Sequence, residues 1–230
     1  MIGARALMLS LEKEGVKEVF GLPGGANLPM YDELYKSNIR HILVRHEQDA
    51  AHMADGFGRV SRKPGVCFAT SGPGATNLLT GIATAQADSA PMVAVTGQVP
   101  VKMIGKDAFQ ESDIIGMANP AVKYSYQPRT PEEIPEIVKQ GFYIAETGRP
   151  GPVLLDIPKD VQQNEGKFTF PDEVRIPGYH PWTDPDIPNI EKAIQLLLAS
   201  EKPIILAGGG VIISSAFAEL QSIAEMLMIP

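Results

Sequence analysis

Short β-rich runs alternate with helical segments along most of the 230 residues, and this alternation constrains the fold more than any other feature. Ala4, Leu7, Met8 and Leu11 recur at helical spacing, and Gly15 follows where a left-handed residue costs least. Residues 16–20 then read as a strand entering Leu22-Pro23-Gly24-Gly25, where proline removes a donor and two glycines open unusual backbone angles. The unit repeats as helix 28–36, strand 41–45, helix 49–59 with Ala50, Met53, Ala54 and Phe57 inward, strand 66–70, helix 75–87 and strand 92–96. A helix over about 131–146 and a strand over 153–157 close the series. The pattern predicts an α/β fold with a doubly wound parallel sheet covered on both faces.

Periodicity fades over 162–188, where five prolines fall between Pro171 and Pro188, as expected of an extended linker. Beyond it, a helix over 190–198, a strand over 203–207, a turn at Gly208-Gly209-Gly210 and a helix from Phe217 read as the first βα unit of a second α/β domain. The expected organisation is a domain over 1–161, a linker over 162–188 and a partial domain over 189–230. One βα unit cannot bury its own apolar face, so a fragment of a longer protein is expected.

Composition narrows the function classes. Twenty Lys and Arg against twenty-seven Asp and Glu give a formal charge of −7, with the cations scattered, which disfavours nucleic acid as a partner. No run approaches the ~18 apolar residues of a membrane span, and no signal-like leader opens the chain, so neither membrane nor export is expected. The lone Cys67 lies in the apolar run Val66-Cys67-Phe68-Ala69, which reads as a buried structural thiol and suits a reducing cytoplasm.

Ligands of open parallel sheets bind outside the carboxyl ends of the strands. Four loops in that position are unusual: Leu22-Pro23-Gly24-Gly25, Arg45-His46-Glu47-Gln48, the stretch from Thr70 through Gly72-Pro73-Gly74 to Asn77, and Thr96-Gly97-Gln98-Val99-Pro100. Glycines in three of them allow close approach to backbone, although each alone reads equally well as a tight turn. Glu47 ends an apolar strand and precedes an Ala- and Met-bearing helix; a carboxyl desolvated there can share a proton with a ring nitrogen. The plainer reading is an acid favoured by a helix N-terminus.

Rival motifs fail on spacing. His46-Glu47 would need a second histidine at Ala50 to bind zinc, and Ser71 has Ala69 and Pro73 where a nucleophile elbow has glycines. There is no phosphate-binding Gly-x-x-x-x-Gly-Lys loop, and Gly72-Pro73-Gly74 lacks the third glycine of a dinucleotide fingerprint.

Taken in order, Phe20-Gly21-Leu22-Pro23-Gly24-Gly25, Arg45-His46-Glu47, the stretch from Ala69 to Asn77, Thr96-Gly97-Gln98-Val99 and Asp107-Ala108-Phe109-Gln110-Glu111 resemble the thiamine-diphosphate enzymes, most closely the acetohydroxyacid (acetolactate) synthase group. Gly148-Arg149-Pro150-Gly151-Pro152-Val153 and Asp156-Ile157-Pro158-Lys159-Asp160 extend the likeness over essentially the whole chain. The resemblance implies an amino-terminal pyrimidine-binding domain followed by the start of a central domain of FAD-binding type. It implies that Glu47 hydrogen-bonds N1′ of the cofactor's aminopyrimidine and favours the imino tautomer that takes the thiazolium C2 proton. It further implies that Gly25 and Pro73 line the pyrimidine pocket, Gln110 is a polar cofactor contact, Phe109 walls the substrate and Lys159 stands at its channel. FAD would be contacted by Ser89, Arg149 and Gly209, for which a helix cap, a loop cation and a turn are the plain alternatives.

The implied reaction joins pyruvate, with loss of carbon dioxide, to a second 2-keto acid, giving 2-acetolactate or 2-aceto-2-hydroxybutyrate. A homodimer or larger assembly sharing its active site is implied as well, and a regulatory subunit is compatible with the group. Two departures stand out. Leu22 replaces a common aromatic, and the family's Gly-Asp-Gly segment ending in paired asparagines, which carries magnesium and the diphosphate, is absent, so the Mg2+ ligands are expected outside this chain. Sister enzymes such as pyruvate oxidase or sulfoacetaldehyde acetyltransferase share much of the pattern. A non-catalytic nucleotide- or partner-binding module is the alternative of another class.

Overall fold

Six parallel strands form one sheet in the computed structural model, which describes residues 1–182 and 184–230. They are β1 (Glu18–Gly21), β2 (Arg40–Leu43), β3 (Gly65–Ala69), β4 (Met92–Gln98), β5 (Tyr124–Tyr126) and β6 (Pro152–Pro158), in the spatial order β2-β1-β3-β4-β6-β5. Between them run α1 (Gly3–Lys13), α2 (Leu28–Tyr35), α3 (Glu47–Ser61), α4 (Pro73–Asn77), α5 (Leu79–Asp88), α6 (Ile114–Ala118) and α7 (Ile134–Glu146), with α8 (Lys159–Gln163) after β6. The chain divides into two compact units, Met1–Pro181 and Trp182–Pro230.

Alternation along the strands builds a separate core on each face. Val66 and Phe68 of β3 join Leu7, Leu11, Met30, Val138 and Phe142 on the face covered by α1, α2 and α7. Cys67 and Ala69 join Ala50, Ala54, Leu78, Ile82 and Ile114 on the other face, under α3, α5 and α6. The second core is made of small residues and its helices approach closely: a Cβ on Gly65 would lie 2.0 Å from the Ala54 carbonyl oxygen, and one on Gly58 2.3 Å from that of Pro91.

Several expectations are corrected. The buried stripe of α3 follows Glu47, Ala50, Ala51, Ala54, Asp55 and Gly58, which puts Met53 at its border, 43% exposed rather than inward. The expected helix over 75–87 breaks at Leu78 into α4 and α5, and Pro131–Glu133 form a 3-10 turn with a Thr130–Glu133 capping box ahead of α7. The sixth strand, β5, escapes the sequence pattern because its three residues are all half-buried. Gln162 lies in α8, fully buried, and its Nε2 donates to the Ala26 and Ile157 carbonyls at 2.8 and 2.7 Å.

The second unit contains α9 (Ile187–Leu198), α10 (Gly209–Ser214) and α11 (Phe217–Leu227). Residues 203–207 are not a strand: the Ile205 amide donates to the Pro230 carbonyl at 3.0 Å, and no ladder accompanies that bond among the described residues. A strand needs a neighbour to satisfy its backbone, and the apolar run alone does not supply one. The glycine run is part turn and part helix, since α10 starts at Gly209. No described helix is long and apolar enough to cross a membrane.

Candidate functional site

The strand order brings the four unusual loops together. β2, β1, β3 and β4 are consecutive neighbours, so the loops leaving their carboxyl ends line one continuous stretch of sheet edge. The order of strand addition reverses at β1, which has β2 on one side and β3 on the other while all three run parallel, and such a switch point opens a crevice for a ligand.

Glycines lock the loops against one another. A Cβ on Gly24 would lie 2.6 Å from Thr70 side-chain carbons, and the Ala26 amide donates to Thr70 Oγ1 at 3.1 Å. One on Gly97 would lie 2.5 Å from the Ala26 carbonyl oxygen, and one on Gly72, whose φ is +59°, 2.7 Å from that of Gln110. A larger residue would have to move backbone at Gly97 and Gly72, and displace the Thr70 side chain at Gly24.

Glu47 opens α3 and is 8% exposed. Its Oε2 accepts from Asn77 Nδ2 at 2.9 Å, across thirty positions of sequence, while Oε1 lies 3.1 Å from where a Cβ of Gly74 would be. Gly74 therefore leaves room beside the carboxylate that any other residue would fill. His46 caps the helix, its Nδ1 accepting from the Gln48 amide at 3.1 Å. The Tyr31 hydroxyl is pushed well above its ordinary range by burial first, then by Cys67 and Glu47, and so stays neutral. Burial pushes the Cys67 thiol up to about 12, which removes it as a nucleophile.

The remaining expected residues divide between two edges. Gly25 has open space where a Cβ would sit, Pro73 is exposed at the start of α4 beside Gly74, and Gln110 is exposed with its backbone against Gly72. Phe109 is 87% exposed on the same loop as Gln110. Half-buried Lys159 starts α8 at the carboxyl end of β6, next to Asp160, whose Oδ1 and Oδ2 accept from the Val101 amide at 3.0 and 3.1 Å. All five thus gather with Glu47 or with loops joined to it.

Ser89 and Arg149 do not. They precede β4 and β6, which in a parallel sheet places them at the opposite, amino edge. Arg149 Nε donates to Ser89 Oγ at 2.7 Å and Nη2 to the Ala87 and Gln86 carbonyls at 3.0 and 3.2 Å, holding the end of α5 where Ser89 adopts a φ of +61°. Gly209 belongs to the second unit, at the start of α10. Among the described residues no three His, Cys, Asp or Glu side chains gather into a cation site.

Sequence reasoning missed the supports of this edge. Asp156 is completely buried in β6, and accepts from Thr96 Oγ1 at 2.6 Å, Gln127 Nε2 at 2.7 Å and Gln98 Nε2 at 3.0 Å. Burial, opposed by those donors, pushes its carboxyl up to about 6. An acid inside the run Val153-Leu154-Leu155-Asp156-Ile157 was the available signal. The roles of Thr70 and Asn77 left none, because their partners lie far away in sequence.

Residues 1–117 match the family described as thiamine pyrophosphate enzyme, N-terminal TPP binding domain, and residues 190–230 match the central domain of the same enzymes. The chain is 58% identical, over its whole length, to the probable acetolactate synthase large subunit of Methanocaldococcus jannaschii, and spans 39% of that relative. It is 51% identical to the acetolactate synthase large subunit of Corynebacterium glutamicum and 49% identical to the acetolactate synthase of Mycobacterium bovis, again over its whole length and 37% of each.

Proposed function

From the premise that the chain belongs to the thiamine pyrophosphate enzyme family, we propose that it is the pyrimidine-binding part of an acetolactate synthase catalytic subunit, which joins pyruvate to a second 2-keto acid. One observation carries the reading: a buried carboxylate, oriented by Asn77, beside a space kept open by Gly74 at the switch point of a parallel sheet. An aminopyrimidine fits that donor and acceptor pattern.

Thiamine diphosphate supplies the carbon nucleophile when bound, and this chain's residues orient its ring and control its protons. Glu47 Oε1 hydrogen-bonds the ring nitrogen and holds a proton there, while Asn77 fixes the rotamer through Oε2. Gly25 and Pro73 give the ring close access to backbone, Gln110 adds a polar contact, and Phe109 and Lys159 border the substrate. The aspartate and asparagine oxygens that a hard cation and its diphosphate require lie outside these residues in this reading. The isolated chain would then release no carbon dioxide from pyruvate with thiamine diphosphate and Mg2+, and clear release would overturn that point.

The proposal extends to FAD, a cytoplasmic location and a homodimer or larger assembly sharing its active site, with room for a regulatory subunit. The residues this reading assigns to FAD are Ser89 and Arg149 at the amino edge of the first unit and, separately, Gly209 of the second. A chimera in which these residues replace the matching part of the Methanocaldococcus jannaschii relative tests the activity. It should form 2-acetolactate or 2-aceto-2-hydroxybutyrate, and Glu47→Gln should slow it about 10²–10⁴-fold. Acetyl phosphate or hydrogen peroxide as the product would transfer the reading to a sister enzyme.

A further inference from the structure

The loop after β4 carries Phe109 and Gln110, and its backbone is unfavourable by itself. Asp107 and Gln110 have φ values of +53° and +57°, a region where side chains other than glycine are strained. The Glu111 amide donates to the Ala108 carbonyl at 2.9 Å, closing a four-residue turn with Phe109 and Gln110 at its centre. With positive φ at the third position only, it has the type II form, where glycine is the favoured residue. A tight turn without that glycine needs support from outside.

Glu111 supplies it. One carboxylate oxygen accepts from the Gly105 amide, and the other accepts from the Ala108 amide at 2.9 Å. These amides belong to separate stretches: the Lys106 amide donates to the Met103 carbonyl in the preceding turn, and Ala108 begins the next. The carboxylate is therefore the link between them. The Ala108 and Gly105 amides hold its pKa below the ordinary glutamate range, as expected for an anion that accepts from fixed N–H groups. Downstream, Gln98 Nε2 donates to the Ser112 carbonyl at 2.9 Å and anchors the exit of the loop to β4.

We propose that Glu111 is a positioning residue, whose two oxygens clasp the Gly105 and Ala108 amides and so press the Phe109–Gln110 turn against Gly72 at the mouth of the Glu47 cleft. The clasp itself stands on geometry alone, while its consequence for the ligand rests on the thiamine reading above. Glutamine is the discriminating replacement: it matches glutamate in shape but offers one oxygen, and its amide nitrogen would face an N–H donor.

Glu111→Gln and Glu47→Ala are compared with the unaltered 230-residue chain, using amide hydrogen exchange and thiamine titration followed by amide shifts. Glu111→Gln should speed exchange at Gly105 and Ala108 about tenfold or more and weaken thiamine binding about fivefold, at an unchanged melting midpoint. Unchanged exchange at both amides overturns the clasp. Faster exchange with unaltered thiamine affinity, while Glu47→Ala abolishes binding, overturns the positioning role and leaves the cleft reading intact. A chain that shows no thiamine-dependent shifts would overturn the cleft reading, and the positioning role with it, whatever the exchange arm gives.

Discussion

The two units contain the same kinds of residues but treat them differently. In the first, Phe68, Leu154 and Val95 are completely buried between helices and sheet. In the second, Leu196, Leu198, Ile204 and Leu206 are 74%, 66%, 80% and 98% exposed, and Ile229 is the one hydrophobic residue buried among those described. Both units form helices, because each helical turn satisfies its own backbone. Among the described residues only the first forms strands, because a strand requires neighbours that arrive from distant sequence. Burial that offsets chain entropy is thus concentrated in 1–181.

Core truncation is the most severe trial of this contrast. Phe68→Ala should cost about 3–5 kcal/mol in urea unfolding, because it empties the packing beneath β3. A cost under about 1 kcal/mol would mean that the sheet is not the stabilising element.

The next effect is a pH slope that only the first unit can supply, since every buried polar or charged side chain among the described residues belongs to it. The Asp156 carboxyl is raised by burial from 3.8 to about 6. Its stabilising contribution is therefore complete below pH 4 and is lost as pH rises through 6. The span corresponds to roughly 3 kcal/mol, and Asp156→Asn should flatten it. A slope that persists unchanged in the variant would assign the titration to another group.

Gly74→Ala should cost about 1–3 kcal/mol, since its Cβ would lie 2.7 Å from Thr70 Cγ2, and should block ligands beside Glu47. Thiamine binding equal to that of the unaltered chain would refute the cradle. The smallest effect belongs to the second unit: Leu206→Ser should stay within about 0.5 kcal/mol, and α9 amides should exchange far faster than those of β4. Equal protection in α9 and β4 would erase the contrast between the units.

Local pattern made much of the first unit legible. The helix and strand alternation, the glycine loops at strand ends and the placement of Glu47 at a strand–helix junction all follow from spacing and turn chemistry. Met53 was misplaced because inward and border positions on α3 differ by a fraction of a turn, which depends on how closely Ala54 and Gly58 approach the sheet. β5 was missed because Tyr124, Ser125 and Tyr126 show no alternation in burial.

What the sequence determined by itself was the set of elements, since φ, ψ and hydrophobic period are settled within a few residues of each position. Tertiary structure decided which loops meet: β1 lies between β2 and β3, which sets Asn77 against Glu47, and β3 lies beside β4, which sets Gly72 against Gln110. It also left 203–207 without a ladder, although that run has the apolar character of a strand. The physical reason is the same in each case: hydrogen bonds and packing between distant residues depend on which partners the chain brings within reach, and neighbouring sequence does not encode that proximity.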